Sequence, residues 1–264
     1  MKNVIHFDKP LTISVVGKGG SGKTVITALL AKGISKSYKF KMLLIDADPT
    51  HPHLSHIVNL IPEKSLEKLR VEVIDEILTK ATDFEKVAEN IDLEVYNAIT
   101  ESKEFSLFSI GQPEGPGCFC PSNTLLRKVI GSISKDFDIV LIDCEAGLEQ
   151  INRMVIESVD IVLIVSDISI RSIETAVAIR ESAKKFTNYK ELGVVLNRAK
   201  GDINHIKKKL KELNLPLWIE VPEDDIITEF ELEGKPIITI PEKSKSVLAI
   251  NKLIKNTFDK IRIK

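Results

Sequence analysis

The sequence lacks the features that mark secreted, membrane-spanning and broadly basic proteins. It has only three cysteines in 264 residues, its net charge is −1, and none of its apolar runs is long enough to cross a bilayer. The first residues include Lys2, Asp8 and Lys9 and do not resemble a secretion signal. We therefore expect a cytoplasmic protein in a reducing compartment, with no nucleic-acid partner and no stable membrane association.

Repeats, low-complexity tracts and linkers are also missing, so we expect residues 1–264 to form a single domain. What is present is an alternation of apolar runs, several of them continuous, with helical stretches. The predicted strands are 11–16, 42–45, 105–110, 139–142, 161–165, 193–196 and 217–221. The predicted helices are 24–35, 65–80, 123–135, 149–158, 172–186, 203–213 and 244–261, and the long stretch 47–138 should hold further helices and a strand. This pattern predicts an α/β fold with a doubly wound, mostly parallel sheet.

A glycine-rich segment separates the first predicted strand from the first predicted helix. It satisfies the pattern G-x-x-x-x-G-K-[ST] in full and reads Gly17-Lys18-Gly19-Gly20-Ser21-Gly22-Lys23-Thr24. Glycines allow successive backbone N–H groups to point at phosphate oxygens, and the helix that follows adds the positive end of its dipole. Lys23 is expected to contact the β- and γ-phosphates, and Thr24 is expected to offer its hydroxyl to Mg²⁺.

The second lysine of this segment, Lys18, adds a further indication. The form K-G-G-x-G-K-T resembles the deviant phosphate loop of the MinD, ParA and nitrogenase-iron-protein group of ATPases. This resemblance implies the P-loop NTPase fold of the MinD-like group. It also implies that Lys18 reaches across a dimer interface to the partner's nucleotide and neutralises charge during phosphoryl transfer. A solvated lysine beside an anion is the alternative.

Three carboxylates follow two predicted strands. Asp46 and Asp48 lie after the strand 42–45, and Asp143 lies after the strand 139–142, at the sheet edge where ligands of α/β proteins bind. We expect Asp48 to orient the attacking water, Asp46 to support Mg²⁺ or the loop geometry, and Asp143 to bind Mg²⁺ through water. A plain strand-to-turn cap is the alternative for the first pair. The N–H of Gly147 is expected to contact the γ-phosphate.

Two short segments follow the last predicted strands. Asn197 and Arg198 come after the strand 193–196, and Pro222, Glu223 and Asp224 come after the strand 217–221. The resemblance implies that the asparagine reads the purine base and that the proline-containing loop packs against it. An asparagine has the donor and acceptor needed for this task. A simple turn is the alternative for each segment.

Two cysteines lie one residue apart in the Gly/Pro-rich segment 111–121. Cys118 and Cys120 are too close in sequence for an unstrained disulfide, but their thiolates could share a metal ion. One chain supplies two thiolates whereas a closed site requires four, so a twofold dimer would supply the pair from each subunit. A pair of ordinary small apolar side chains is the alternative. Cys144 is expected to be buried packing.

Four segments together resemble one family within this group. They are G-K-G-G-S-G-K-T, I-D-A-D-P, G-Q-P-E-G-P-G-C-F-C-P and I-D-C-E-A-G-L-E, and they are similar to the CooC-type ATPases. The likeness extends from Leu11 to about Pro236. It implies an ATP hydrolase with ATP or ADP, Mg²⁺, and nickel or zinc as ligands. It further implies an ATP-promoted homodimer whose client is a carbon monoxide dehydrogenase or acetyl-CoA synthase.

Carried onto this sequence, the resemblance implies catalytic roles for Lys18, Lys23 and Asp48. It implies that Cys118 and Cys120 hold nickel or zinc at the dimer interface. It implies nucleotide contacts by the phosphate loop and its continuation, which comprise Gly17, Gly19, Gly20, Ser21, Gly22, Lys23, Thr24 and Val25. Val25 departs from the family pattern, where a second hydroxyl residue is expected.

Two other functions remain open from the sequence. A [4Fe–4S] reductase component similar to the nitrogenase iron protein could also use four thiolates. A positioning ATPase of the MinD or ParA type would need no metal. Three histidines, His51, His53 and His56, either handle metal or lie solvated in a polar turn. The apolar stripe of the last helix is expected to be core packing rather than a membrane face, and its members are Val247, Ile250, Ile254, Phe258 and Ile261.

Overall fold

The fold is built on one eight-stranded sheet. A computed structural model describes residues 10–48, 53–69, 71–72, 94–111, 131, 133–144 and 159–263. The strands are β1 (Leu11–Gly17), β2 (Met42–Ala47), β3 (Thr100–Glu101), β4 (Ser106–Ser109), β5 (Ile139–Cys144), β6 (Ile161–Ser166), β7 (Glu191–Ala199) and β8 (Leu217–Pro222). Their order across the sheet is β3-β4-β2-β5-β1-β6-β7-β8. All neighbours are parallel except β3 and β4.

Helices cover both faces of this sheet. They are α1 (Lys23–Ser37), α2 (Leu54–Ile57), α3 (Ile170–Phe186), α4 (Asn204–Glu212), α5 (Asp225–Leu232) and α6 (Lys245–Ile263), with two 3-10 turns at Ser134–Asp136 and Ile237–Thr239. Alternate residues of the strands point to opposite faces, so Val15 packs with α1 and α6 whereas Val16 packs with α3 and α4. The continuous apolar runs therefore serve two cores at once.

The fold class predicted from the sequence is confirmed. Each predicted strand corresponds to an observed strand, and the boundaries differ by a few residues at most, except for β7, which is extended to Glu191–Ala199. The stripe of the last helix is core packing for the four members whose side chains are described, since Val247, Ile250, Ile254 and Phe258 are buried. Among the described residues, α5 and the 3-10 turn Ile237–Thr239 were not predicted, whereas α2 and β3 lie in the stretch 47–138, where further helices and a strand were expected.

The unpredicted elements share a physical reason. They are short, so each offers at most about two helical turns in which an apolar pattern could repeat, and α5 contains no buried residue. The carboxylate of Asp224 caps α5 and also bonds to Ser244 and Ser246 at the start of α6, as described below. The predicted helix 149–158 lies outside the described residues, and the predicted helices 65–80 and 123–135 lie partly outside them.

Candidate functional site

The phosphate loop depends on glycine at two positions. Gly22 has φ +92°, and a Cβ added there would lie 2.4 Å from Nδ2 of Asn197. Gly17 has φ +156°, and a Cβ there would lie 2.2 Å from the carbonyl oxygen of Val165 on the neighbouring strand. Only glycine accepts both the left-handed backbone and the close approach. The loop is thereby pressed against β6 and β7.

The loop ends in a helix N-terminus that is open to a ligand. Helix α1 begins at Lys23, and within the described part of the chain no side chain caps its first turn. The hydroxyl of Ser21 is fully buried and has no hydrogen-bond partner among the described residues. Lys23 Nζ donates to the carbonyl oxygen of Lys18 at 3.4 Å, which folds the lysine back over the loop. A helix N-terminus without a side-chain cap, with the ammonium of Lys23 beside it, suits an anion.

Two buried carboxylates stand beside this loop. Asp46 on β2 and Asp143 on β5 are register partners, and their exposed fractions are 0% and 2%. Burial and the neighbouring carboxylate of Asp143 raise the pKa of Asp46 to about 8. The oxygens of Asp46 accept hydrogen bonds from the N–H groups of Asp48 at 3.3 Å and Leu54 at 3.2 Å. Asp46 thus holds the turn that carries Asp48, and its predicted support of Mg²⁺ stays a prediction.

Asp143 has oxygen and cation neighbours. Burial raises its pKa to about 6, against the lowering effects of the Thr24 hydroxyl, the Lys23 ammonium and the Thr27 hydroxyl. Thr27 Oγ1 donates to Asp143 Oδ1 at 3.3 Å. The carboxylate of Asp143 and the hydroxyl of Thr24 are the oxygen donors that Mg²⁺ prefers, so the residues present fit this ion. Thr27 was not predicted from the sequence, although its spacing of one helical turn from Lys23 could have indicated it.

A cavity of about 110 Å³ lies next to the loop, on the side of β7 and β8. Asn197 and Arg198 line it, and they connect it to the loop: Asn197 Nδ2 donates to the carbonyl oxygen of Ser21 at 2.9 Å, and Arg198 donates to that of Gly20 at 3.3 Å. Val25 also lines it, where the family pattern suggested a hydroxyl. The structure therefore brings together the phosphate loop and the predicted base-contact segments.

Another wall of this cavity comes from the last residue of β8 and the segment that follows it. Pro222, Glu223 and Asp224 line it, together with Ile227, Thr228, Glu231 and Ser246. Glu223 is exposed and forms an ion pair with Lys200 at 2.9 Å. Asp224 is only 6% exposed, and its carboxylate accepts hydrogen bonds from α5 and α6. Ser246, at the start of α6, was missed because nothing in its local sequence distinguishes it.

Comparison with known proteins agrees with this geometry. The model of the CobQ/CobB/MinD/ParA nucleotide binding domain family matches residues 13–237, which include the phosphate loop, both buried carboxylates and most of the cavity wall. The chain belongs to this family. The membership in the MinD-like group that the phosphate loop implied is thereby confirmed.

Individual relatives add detail to the family assignment. An uncharacterized ATP-binding protein of Methanocaldococcus jannaschii is 33% identical over 257 residues, which cover 95% of this chain and 99% of the relative. The carbon monoxide dehydrogenase accessory protein CooC of Rhodospirillum rubrum is 30% identical over 210 residues, covering 72% and 80%. The MinD protein of Pyrococcus horikoshii, solved with Mg-ADP, matches with a TM-score of 0.68 at 23% identity, covering 100% and 98%. The last likeness concerns the fold alone.

The remaining predicted site residues lie away from the phosphate loop or outside the described residues. Cys118, Cys120, Gly147 and His51 lie outside the described residues. His53 and His56 are exposed near α2, and over the described ranges no group of three or more His, Cys, Asp or Glu is arranged to hold a metal ion. Cys144 is buried, as predicted. Of the helices in the described ranges, none has the length and apolar composition to cross a bilayer.

Proposed function

We propose that the protein is a dimeric ATPase that couples ATP binding and hydrolysis to the delivery of a metal ion, nickel or zinc, to a client enzyme. One observation carries the ATPase part of the proposal. The open N-terminus of α1, the buried Asp143 and the base-sized cavity bounded by Asn197 lie contiguously at one edge of the sheet. A nucleotide triphosphate with Mg²⁺ has matching parts in the same order.

In this proposal each residue of the phosphate end has one task. Lys23 and the N–H groups of the loop bind the β- and γ-phosphates, and Asp48 orients the attacking water, held by the hydrogen bond from its N–H to Asp46. Thr24 and Asp143 would hold Mg²⁺, which supplies positive charge to the phosphate oxygens when bound. Replacing Asp48 by Asn should lower kcat for ATP hydrolysis more than 100-fold while ADP still binds, because water orientation is needed only in the transition state.

Lys18 supports the dimer. Its carbonyl oxygen accepts from Ser21 N–H at 3.1 Å and from Lys23 Nζ, so its backbone serves its own loop. Its side chain would act on the nucleotide of the partner subunit, which makes hydrolysis depend on dimerization. Light scattering with a non-hydrolysable ATP analogue should detect a dimer for the wild type and a monomer for Lys18→Ala. A wild-type protein that stays monomeric with this analogue would contradict the proposal.

The metal part of the proposal rests on Cys118 and Cys120 and on the likeness to the CooC protein of Rhodospirillum rubrum. Four thiolates from two subunits suit nickel or zinc. Metal analysis of the ATP-loaded protein should give one ion per dimer, and the double variant Cys118→Ser/Cys120→Ser should give none. The matched control is Cys144→Ala, which removes a buried thiol and should keep the ion. The client would be a carbon monoxide dehydrogenase or an acetyl-CoA synthase, and it would be tested by nickel-dependent activation in vitro.

A second candidate function is a positioning ATPase without metal, which the MinD-like fold supports. It predicts nucleotide-dependent binding to lipid vesicles or DNA that the cysteine double variant retains. Cosedimentation with vesicles of anionic lipid, with ATP and with ADP, separates the two functions. Metal bound to the cysteines without vesicle binding favours the first, and the reverse favours the second.

A further inference from the structure

The carboxylate of Asp224 accepts hydrogen bonds from residues at the starts of two helices. Its Oδ1 accepts from the N–H of Ile226 at 3.2 Å and so caps the N-terminus of α5. Its Oδ2 accepts from the hydroxyl of Ser244 at 2.6 Å and from the N–H of Ser246 at 2.9 Å, at the start of α6. One carboxylate therefore ties the first turns of two helices together, although the helices are separated by the segment 233–244.

The same network reaches the wall of the cavity. Ser246 lines the cavity and donates from its hydroxyl to the carbonyl oxygen of Pro222 at 3.5 Å. Ser244 passes the connection on, because its hydroxyl accepts from the N–H of Val247 at 3.3 Å. Hydrogen bonds to Asp224 outweigh the effect of its burial and lower its pKa, so the carboxylate is charged at neutral pH.

We propose that Asp224 is a positioning residue for base recognition, and that through it the first turn of α6 is part of the nucleotide site. The resemblance implied that the segment 222–224 packs against the base. Both oxygens of the Asp224 carboxylate accept hydrogen bonds that hold α5 and α6 beside the cavity, and Ser246 extends this network to Pro222. This inference rests on the proposed function, in which the cavity receives the base of ATP.

The proposal separates the two ends of the nucleotide. Asp224 has no hydrogen bond to the phosphate loop among its contacts with Ile226, Ser244 and Ser246. Replacing Asp224 should weaken the binding of ligands that carry a base and leave the binding of inorganic tripolyphosphate unchanged. If Asp224 affected only global stability, its replacement would weaken the binding of both kinds of ligand.

The test is calorimetric titration of ADP, ATP and inorganic tripolyphosphate, each with Mg²⁺, into the wild type and Asp224→Asn. The asparagine has one oxygen in place of two, so it turns an N–H donor against either α5 or α6. We expect ADP and ATP to bind about tenfold more weakly, as for the loss of one charge-assisted hydrogen bond, with tripolyphosphate unchanged. The matched control is Asp225→Asn, an exposed neighbour outside the network, which should bind all three like the wild type.

Two further measurements guard against a variant that folds poorly. Ser244→Ala removes one hydrogen bond to Asp224 and should show the same pattern with a loss of about threefold. Hydrogen exchange should show that ADP protects the first turn of α6 in the wild type and does so less in Asp224→Asn. Equal losses for ADP and tripolyphosphate, or unchanged ADP binding in Asp224→Asn, would overturn the inference. If the wild type itself bound tripolyphosphate but neither nucleotide, the proposed function would fail first.

Discussion

The two ends of the candidate nucleotide site are built in different ways. The phosphate end is one contiguous segment, 17–24, in which glycines shape the backbone and the N-terminus of α1 has no side-chain cap. The base end is assembled from β7, β8, α5 and α6, and side-chain hydrogen bonds hold it together. The comparison indicates that steric damage at the phosphate end should be nearly all-or-none, whereas damage at the base end should be graded.

The carboxyl pKa values at the two ends are also shifted in opposite directions. At the phosphate end, burial raises the pKa values of Asp46 and Asp143, and the neighbouring carboxylate of Asp143 raises the pKa of Asp46 further. At the base end, hydrogen bonds lower the pKa of Asp224 despite its burial. A bound cation would favour the charged form of the buried pair, whereas hydrogen bonds within the fold already favour the charged form of Asp224.

The largest effect is expected for Gly22→Ala, which damages both ends at once. The added Cβ would lie 2.4 Å from Asn197 Nδ2 on a backbone with φ +92°. We expect ATP affinity to fall more than 100-fold and the free energy of unfolding to fall by about 1–3 kcal/mol, measured by calorimetry and urea unfolding. For comparison, Gly19→Ala has no described atom within 4 Å of its Cβ and should unfold like the wild type. Near-normal ATP affinity in Gly22→Ala would contradict the expectation that the phosphate end is intolerant of added side-chain atoms.

Asn197→Ala should have the next largest effect, because Asn197 joins the two ends. Its side chain donates to the carbonyl oxygen of Ser21 and lines the cavity. We expect ADP affinity to fall about 10- to 50-fold and tripolyphosphate affinity to fall only about threefold, because the loop keeps its glycine geometry. Equal losses for the two ligands would mean that Asn197 serves only the phosphate loop. Asn256→Ala, on the exposed side of α6, is the control.

Thr27→Val should have a smaller effect, confined to the phosphate end. The change preserves shape and removes the hydroxyl that donates to Asp143. We expect kcat for ATP hydrolysis to fall about 5- to 10-fold, with an increased Mg²⁺ requirement and an unchanged affinity for ADP. An unchanged Mg²⁺ dependence would indicate that this hydrogen bond is only structural. Thr175→Val, on the exposed surface of α3, is the matched control.

The two ends should make opposite contributions to the change of stability with pH. An acid with a raised pKa keeps its proton longer when folded, so the raised values of Asp46 and Asp143 make stability fall as pH rises from about 4 to about 8. We expect Tm without Mg²⁺ to fall by a few degrees over this range. Asp46→Asn should flatten the decline, and an equally steep decline in this variant would contradict the assignment.

The smallest expected effect comes from Asp224 in acid. Its pKa is lowered by folding, so its contribution to stability is complete above about pH 4 and is lost as pH falls further. Asp224→Asn should therefore lower Tm at neutral pH and converge toward the wild type in acid. A constant Tm difference between the two proteins at every pH would indicate that charge is not involved.

The features that could be predicted from the sequence are those that depend on residues close together in the chain. The alternation of apolar runs with helical stretches predicted the strands and the doubly wound sheet, because covered parallel strands must be apolar on both faces. The contiguous glycine segment predicted the phosphate loop and the family group. The CooC-type function, the metal ligands and the dimer stay predictions, since Cys118 and Cys120 lie outside the described residues.

The sequence by itself determined the fold class and the phosphate loop, because strand periodicity and a contiguous loop depend on neighbours along the chain. Only the tertiary structure decided the hydrogen bonds of Asp224, the hydrogen bond of Thr27 with Asp143 and the place of Ser246 in the cavity wall. These contacts join residues that are 20 to more than 100 positions apart. Their partners are selected by the way helices and strands pack, and this information is spread over the whole chain rather than written in any one segment.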